Sequence, residues 1–364
     1  MTEDRFGEAR SILARGPSSK TFDYLIERFR AKPIAPPLLQ YVSDHLARWP
    51  KSIERALPQG DAWLRSDALA WCTHIRRHEI HIKEKVIRAM AASGHLGALR
   101  SVELSGGRLT TKPLVAFLSA PELGALEVFD CSGSNNDLKA SVCDVLLDVC
   151  DVSGLKTLRL SGNERVWRRL LDRLPALNTL KRVEQLGASG LSVDVSQLFE
   201  TTHFVRLRSL DLSGSTLSMS EPLKRRVLPE IKALDLSGNR SALQWLSVLA
   251  NAGMGALTSL SLDRCGLTAE NMAQLAGLLS LSPGLKALSI ESNDLTLGDL
   301  DTLLAQTQLT ELRSLSFRGN VFDFDHVQQE RLRRFPRWNI PQATRDAVLD
   351  DMFDHAHLYT DVWE

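Results

Sequence analysis

Apolar and polar residues alternate in a short motif that recurs along most of this chain. The motif has the form L-x-x-L-x-L-x-x-N-x-L. Its five clearest copies start at Leu207, Ile231, Leu257, Leu285 and Leu312. Looser copies start at Leu99, Leu126 and Leu155, and a degenerate copy starts at Val183. Successive starts are separated by 24 to 29 residues, and a constant period in this range is the sequence mark of a repeat architecture.

The alternation inside each copy predicts a short strand. Its Leu, Ile or Phe residues point inward, and the residues between them point outward. Between copies, the stretch 269–279 carries Met272, Leu275 and Leu278 or Leu279 at helical spacing,. Each repeat is therefore predicted to be a strand, a turn and a helix, and neighbouring strands are predicted to stack into a parallel sheet.

The ninth place of the motif is occupied by Asn163, Asn239, Asn293 and Asn320 in four of the copies. We expect these side chains to point inward and to form hydrogen bonds with backbone groups of the adjacent turn, because buried backbone polar groups need partners. Cys265 stands in the same place and is expected to be a small buried thiol.

These motif copies resemble leucine-rich repeats, and their length resembles that of the ribonuclease-inhibitor-like class. The resemblance covers about 225 of the 364 residues. It implies an α/β solenoid of horseshoe shape, with a parallel sheet on the concave side and helices on the convex side. The class includes inhibitors, sensors, adaptors and small-GTPase activators, so the resemblance implies no particular chemistry.

Three regions are predicted along the chain. Residues 1–95 lack the repeat and are expected to form a helical cap or small domain, because the end of a solenoid must be covered. Phe22, Leu25, Ile26 and Phe29 lie on one predicted helical face of this region. Residues 96–324 form the predicted solenoid, and residues 325–364 a C-terminal helical cap with an acidic tail.

The C-terminal region leaves two interpretations open. It is a cap that seals the last repeat, or it is a tail that binds a partner. In the second case, the aromatic and apolar anchors are Phe353, Leu358, Tyr359 and Trp363,.

Composition is that of a globular protein without a membrane span, with 43% apolar residues and 44 acidic residues against 44 basic ones,. The first ten residues contain acids and no apolar run, so we expect no secretion signal. The five cysteines form no paired framework, which favours a reducing compartment and a cytoplasmic location,. Residues 1–95 carry 16 Lys and Arg against 11 Asp and Glu, an imbalance too small for a strong nucleic-acid footprint.

One cluster of metal-ligand residue types occurs, at Cys72, His74, His78 and His81. On a helix, His74 and His78 would face the same side, but the spacing matches no zinc motif closely. A polar helix face is the expected interpretation. The chain contains neither a G-x-S-x-G nucleophile motif nor a phosphate-binding loop,. We therefore expect no catalytic activity, cofactor or metal.

The outward places of the strands predict a partner-binding surface. Its charged residues are Glu103, Asp130, Arg159, Asp211, Asp235, Asp263, Glu291 and Arg318. Six acids against two Arg predict a negative concave face that attracts a basic protein partner. The alternative is that Asp and Ser are simply the residues that most often occupy these places of the repeat, and that they indicate no binding function.

A weaker candidate surface lies outside the strands, at Trp167, Arg168 and Trp245, since Trp and Arg are enriched at interfaces. These indoles are equally explained as filling space beneath the helices. The predicted function is that of a non-catalytic scaffold or adaptor that binds another protein. The alternatives are a small-GTPase regulator, for which Arg108 is a candidate residue, and nucleic-acid binding through the basic N-terminal region.

Overall fold

The chain forms two compact units, Met1–Val183 and Glu184–Glu364, in a computed structural model. The structure describes residues 2–29, 33–57, 67–76, 84–106, 108–133, 136–174, 180–194, 204–218, 231–252, 255–321, 341, 343, 344 and 347. The aromatic anchors predicted in the C-terminal region lie outside these ranges, as does most of the predicted C-terminal cap. Thr344 is described, and its hydroxyl donates a hydrogen bond to the carbonyl of Leu312.

The first unit begins with helices and continues with alternating strands and helices. Its elements are α1 (Thr2–Leu13), α2 (Ser19–Phe29), α3 (Pro36–Ala47), a 3-10 helix (Asp67–Trp71), β1 (His74–Arg76), α4 (Glu84–Ala91), β2 (Ser101–Glu103), α5 (Thr111–Leu118), β3 (Val128–Asp130), α6 (Ser141–Asp148), β4 (Thr157–Arg159) and α7 (Glu164–Arg173). The face of α2 predicted to be apolar is buried. Its Phe29 ring contacts Trp71 edge-on, with the ring centroids 5.8 Å apart.

The second unit repeats the strand, turn and helix plan. Its elements are β5 (Gln185–Gly187), β6 (Ser192–Asp194), β7 (Ser209–Asp211), β8 (Thr216–Ser218), β9 (Ala233–Asp235), α8 (Ala242–Ala252), β10 (Ser259–Ser261), a 3-10 helix (Ala269–Asn271), α9 (Met272–Leu279), β11 (Ala287–Ser289), α10 (Leu297–Gln306) and β12 (Ser314–Ser316). None of the described helices of the chain is long and apolar enough to cross a membrane.

The strands pair in parallel in both units. In the first unit the strand order is β1-β2-β3-β4, and in the second it is β5-β7-β9-β10-β11-β12 beside a separate pair, β6-β8. All nine motif copies contain one of these strands, and the register aligns equivalent motif places, as in Asp211 opposite Asp235 and Leu260 opposite Leu288. The predicted strands and their stacking into a parallel sheet are therefore confirmed.

The ninth-place asparagines bond the turns as predicted. The Asn293 amide donates to the carbonyls of Leu262 at 3.1 Å and Ile290 at 2.9 Å. Its carbonyl accepts from the backbone N–H groups of Cys265 at 2.9 Å and Leu267 at 3.1 Å. Each such side chain joins the turns of neighbouring repeats, so it satisfies backbone groups that the leucine core would otherwise leave unpaired.

The expected helix around Cys72 and His74 is wrong, because His74–Arg76 is a strand, β1, that pairs with β2. Ile75 is buried between two partly exposed neighbours, which is the two-residue period of a strand,. Cys72 precedes Leu99 by 27 residues, and Ile75 lies opposite Val102. The repeat therefore starts one copy earlier than the motif indicates.

Candidate functional site

The outward side chains of the strands form a strand face in each unit, and the acids of the first unit are paired with arginines. Glu103 accepts a hydrogen bond from the Arg76 guanidinium at 2.8 Å. Asp130 is only 5% exposed and lies 3.8 Å from the Arg159 guanidinium. These acids are neutralised within the first unit, so they offer little charge to a partner.

The acids of the second unit form a different arrangement, which we call the acidic patch: Asp211, Asp235, Asp263 and Glu291. Their hydrogen-bond donors are serine hydroxyls and backbone N–H groups. Asp263, for example, accepts from the Ser289 hydroxyl at 2.6 Å and from the Glu291 N–H at 2.7 Å. Within the described part of the chain, no Lys, Arg or His forms an ion pair with any of the four. The patch therefore keeps its negative charge at the surface.

Three of the four carboxylates, those of Asp211, Asp235 and Asp263, interact electrostatically across the strands. Asp211 and Asp235 lie opposite each other on β7 and β9. Burial raises the pKa of Asp235, and the charges of Asp211 and Asp263 raise it further, against the lowering effect of its hydrogen bonds from Ser237. Like charges held at the spacing of adjacent strands repel one another, so the patch stores an unfavourable interaction that a cationic partner would relieve.

The substitution Asp235→Asn tests the combined cost of burying this charge and placing it beside Asp211 and Asp263. Because the pKa of Asp235 is raised by folding, the native state binds its proton more tightly than the unfolded state,. The free energy of unfolding therefore falls as the pH rises through that pKa. The amide of Asn keeps an oxygen for the Ser237 N–H, which donates to Asp235 at 2.9 Å. We expect D235N to be more stable at neutral pH by a few tenths of a kcal/mol, after allowance for solvent screening.

Thermal unfolding followed by circular dichroism across a pH series checks this expectation. The difference between D235N and the wild type should shrink as the pH falls and Asp235 becomes protonated in both states. An Asp235→Asn protein that unfolds at a lower temperature than the wild type at neutral pH would show that the Asp235 charge is not unfavourable in the folded state.

Sequence reasoning missed a second charged row, at the second place of the motif, immediately before each strand. In the second unit this place is occupied by Arg208, Lys232, Lys286 and Arg313, which we call the basic edge. All four residues are exposed, and no carboxylate of the described residues forms an ion pair with them. The signal was present in the sequence, because this place is basic in four of the six copies of the unit. The predicted surface had included only the third, fifth and seventh places of the motif.

The basic edge and the acidic patch lie at opposite ends of β7, β9 and β11, the three strands that have a member of each. Arg208 precedes Asp211 by three residues, and Lys232 precedes Asp235 by three. At about 3.3 Å per strand residue, the opposite charges are roughly 10 Å apart on these two strands, while Lys286 precedes Glu291 by five residues and lies farther from it. The backbone N–H of Lys232 donates to the carbonyl of Arg208 at 2.8 Å, so the rows are held by the hydrogen bonds of the sheet itself.

The other predicted site residues fall in varied surroundings. Arg318 is exposed after β12, and Arg108 is exposed before α5. Trp167 is fully buried and Trp245 is 4% exposed, so we do not include either indole in a surface. Arg168 pairs with Glu164 at 2.6 Å along α7.

The predicted cluster of metal-ligand residue types is only partly described. His74 lies on β1, while His78 and His81 lie outside the described residues. In the part of the chain that the structure describes, no group of three or more His, Cys, Asp or Glu residues is arranged to hold a metal ion.

The repeats, the parallel strands and the asparagine bonds between turns define an α/β leucine-rich-repeat protein. Among solved structures, the chain is similar to an internalin, InlF, from Listeria monocytogenes, with 18% identity and a TM-score of 0.38 over 84% of this chain and 99% of that one. It is also similar to a chain of the TLR13-ssRNA13 complex, with 15% identity and a TM-score of 0.39 over 77% of this chain. It spans about half of that chain, 48%. No protein-family model and no curated protein matches the sequence.

Proposed function

We propose that the chain is a binding scaffold whose second unit holds a protein partner on the acidic patch and the basic edge. The observation that carries the proposal is the presence of two rows of opposite charge, side by side on a regular sheet, whose members form no ion pairs among the described residues. Charged side chains that already form ion pairs within the folded protein contribute little to the binding of a partner. Rows that lack counterions steer a complementary partner and fix its orientation.

The two rows define the chemistry of the partner. It presents a basic row to the acidic patch and an acidic row to the basic edge, with about 10 Å between them at β7 and β9 and more at β11. A polyanion such as a nucleic acid fits poorly, because the phosphates that reach the basic edge are repelled by the carboxylates beside it. The partner is therefore a protein surface of segregated charge rather than a basic tail or a nucleic acid.

The test is a capture experiment with three versions of the full chain. The first is the wild type. The second carries Asp211→Lys, Asp235→Lys and Asp263→Lys, and the third carries Arg208→Glu, Lys232→Glu and Lys286→Glu. Proteins captured from a lysate of the native host are identified by mass spectrometry, and the affinity of each purified candidate is then measured. We expect both triple variants to bind the true partner at least about 30-fold more weakly than the wild type.

A matched control separates this effect from a change in net charge. Asp172→Lys, Glu270→Lys and Asp294→Lys alter the charge by the same amount as the acidic-patch variant, at exposed positions outside both charged rows. The control is expected to bind the partner like the wild type. A partner that binds all versions equally would show that the strand face of the second unit is not the binding surface.

A further inference from the structure

The first unit contains a cleft of about 610 Å³ between the turn that follows α3 and the amino-terminal ends of β1 to β4. Its walls come from two parts of the chain, residues 43–55 and the positions at or just before the strands. Clefts of this volume accommodate a small organic molecule. The cleft is lined entirely by residues of the first unit, so it is separate from the charged rows described above.

The cleft has a marked excess of positive charge. Lys51, Arg55, Arg100 and Lys156 line it, while Glu127 is its one carboxylate among the described residues. Glu127 pairs with the Lys156 ammonium at 2.6 Å, and that hydrogen bond holds the pKa of Glu127 below its usual range. One carboxylate and one ammonium neutralise each other, which leaves three cationic side chains around the cleft.

Arg55 is the most informative of these cations. It is partly buried, and its guanidinium has no carboxylate or hydrogen-bond partner among the described residues. Burial lowers the pKa of Arg55, and the nearby charge of Arg100 lowers it too. A partly desolvated guanidinium without a counterion is an unfavourable arrangement in a folded protein. An anion between Arg55 and Arg100 would relieve both the desolvation and the repulsion.

The remaining wall is apolar and aromatic. Leu46 and Trp49 are largely buried there, and Ile53 is partly exposed. The Trp49 indole N–H is buried and has no acceptor among the described residues. Thr73 and Ser101 also line the cleft, but their hydroxyls are already bonded to His74 and Glu103. The cations and the apolar wall together suit a ligand that has both an anionic group and an apolar body.

From this lining we infer that the cleft of the first unit binds a phosphate monoester attached to an apolar or aromatic body, of about mononucleotide size. Guanidinium groups bind phosphate oxygens in pairs, and the excess of cations over carboxylates in the lining suits the near-double negative charge of a phosphate monoester at neutral pH,. The apolar wall packs against the body of the ligand. This binding function is independent of the protein-binding surface proposed for the second unit.

Isothermal titration calorimetry on the full chain tests the inference at low salt and neutral pH. The probes are adenosine monophosphate, adenosine and inorganic phosphate. We expect the monophosphate to bind, inorganic phosphate to bind roughly 10-fold more weakly, and adenosine to give no detectable heat at about 10 mM. A wild-type chain that binds neither phosphate probe at this concentration overturns the proposal.

Variants locate the site. Arg55→Gln and Arg100→Gln are each expected to weaken monophosphate binding by roughly 10-fold or more. Arg100 is exposed, so its replacement leaves folding intact even if Arg55→Gln does not. Lys112→Gln and Lys139→Gln, cations of the first unit that do not line the cleft, are matched controls and should bind like the wild type. Equal affinity in Arg100→Gln and in the controls would show that the anion binds elsewhere.

Discussion

Replacement of Trp71 by Ala is expected to lower the free energy of unfolding of the first unit by about 3–5 kcal/mol. Trp71 is fully buried at the end of the 3-10 helix that precedes β1. Its ring packs edge-on against Phe29, and its indole N–H donates to the carbonyl of Leu39 at 3.3 Å. One side chain thus joins α2, α3 and the start of the sheet, so the cavity left by Ala opens where three elements meet.

Urea unfolding followed by circular dichroism measures the effect, and Trp71→Phe is the matched control. Phe keeps an aromatic ring against Phe29 and loses only the indole hydrogen bond and part of the volume. Its expected loss is roughly 1–2 kcal/mol. If Trp71→Ala unfolds at the same urea concentration as the wild type, the N-terminal helices do not depend on the sheet. That result would also count against our proposal that residues 1–95 serve as a cap of the solenoid.

The second large effect is expected at the asparagines that join the turns. Asn293→Ala should lower the free energy of unfolding by about 3–4 kcal/mol, because it leaves backbone donors and acceptors on two turns without partners. Asn239 is the natural comparison. Its amide donates to the carbonyls of Leu212 at 2.9 Å and Leu236 at 2.7 Å, but its side-chain oxygen has no partner among the described residues.

Asn239→Ala is therefore expected to be less destabilising than Asn293→Ala, by about 1–2 kcal/mol. Denaturant unfolding of both variants, with the wild type in the same experiment, gives the comparison. Equal losses would mean that the two bonds accepted by the Asn293 oxygen, from Cys265 and Leu267, contribute nothing measurable. Asn239→Cys copies the residue that stands in this place in the next repeat, Cys265, and should be tolerated better than Asn239→Ala.

Most of the strand architecture could be predicted from the sequence because the motif is local. The places of Leu210 and Leu212, for example, already determine which side chains of that strand are buried. The strand at Ile75 was missed for an equally local reason. Cys72 and Ile75 stand where Leu99 and Val102 stand one repeat later, but the third apolar place, that of Leu104, is taken by Arg77. One basic residue was enough to hide a copy of the repeat.

The state of the charged side chains could not be predicted, because it depends on contacts between repeats. Glu103 and Asp211 occupy the same place in the motif, yet Glu103 is paired with Arg76 and Asp211 bonds the N–H and hydroxyl of Ser213. The cleft of the first unit could not be predicted from the sequence for the same reason. Arg55 and Lys156 are about a hundred residues apart, and only the stacking of the repeats places both at one cleft.

The spacing of the strands also determines which backbone conformation of a bound partner can match the basic edge. Neighbouring strands are about 4.8 Å apart, so the basic edge offers a cation at nearly every such step. A helix laid across the strands presents one residue per turn of 5.4 Å. Over three strand spacings the helix residues move out of register with the strands by only about 2 Å, a distance that a flexible side chain can span. An extended segment presents every second residue at intervals of about 6.7 Å, so over the same three spacings it moves out of register with the strands by about 6 Å. The periodicity of the sheet therefore favours a helical ligand over an extended one.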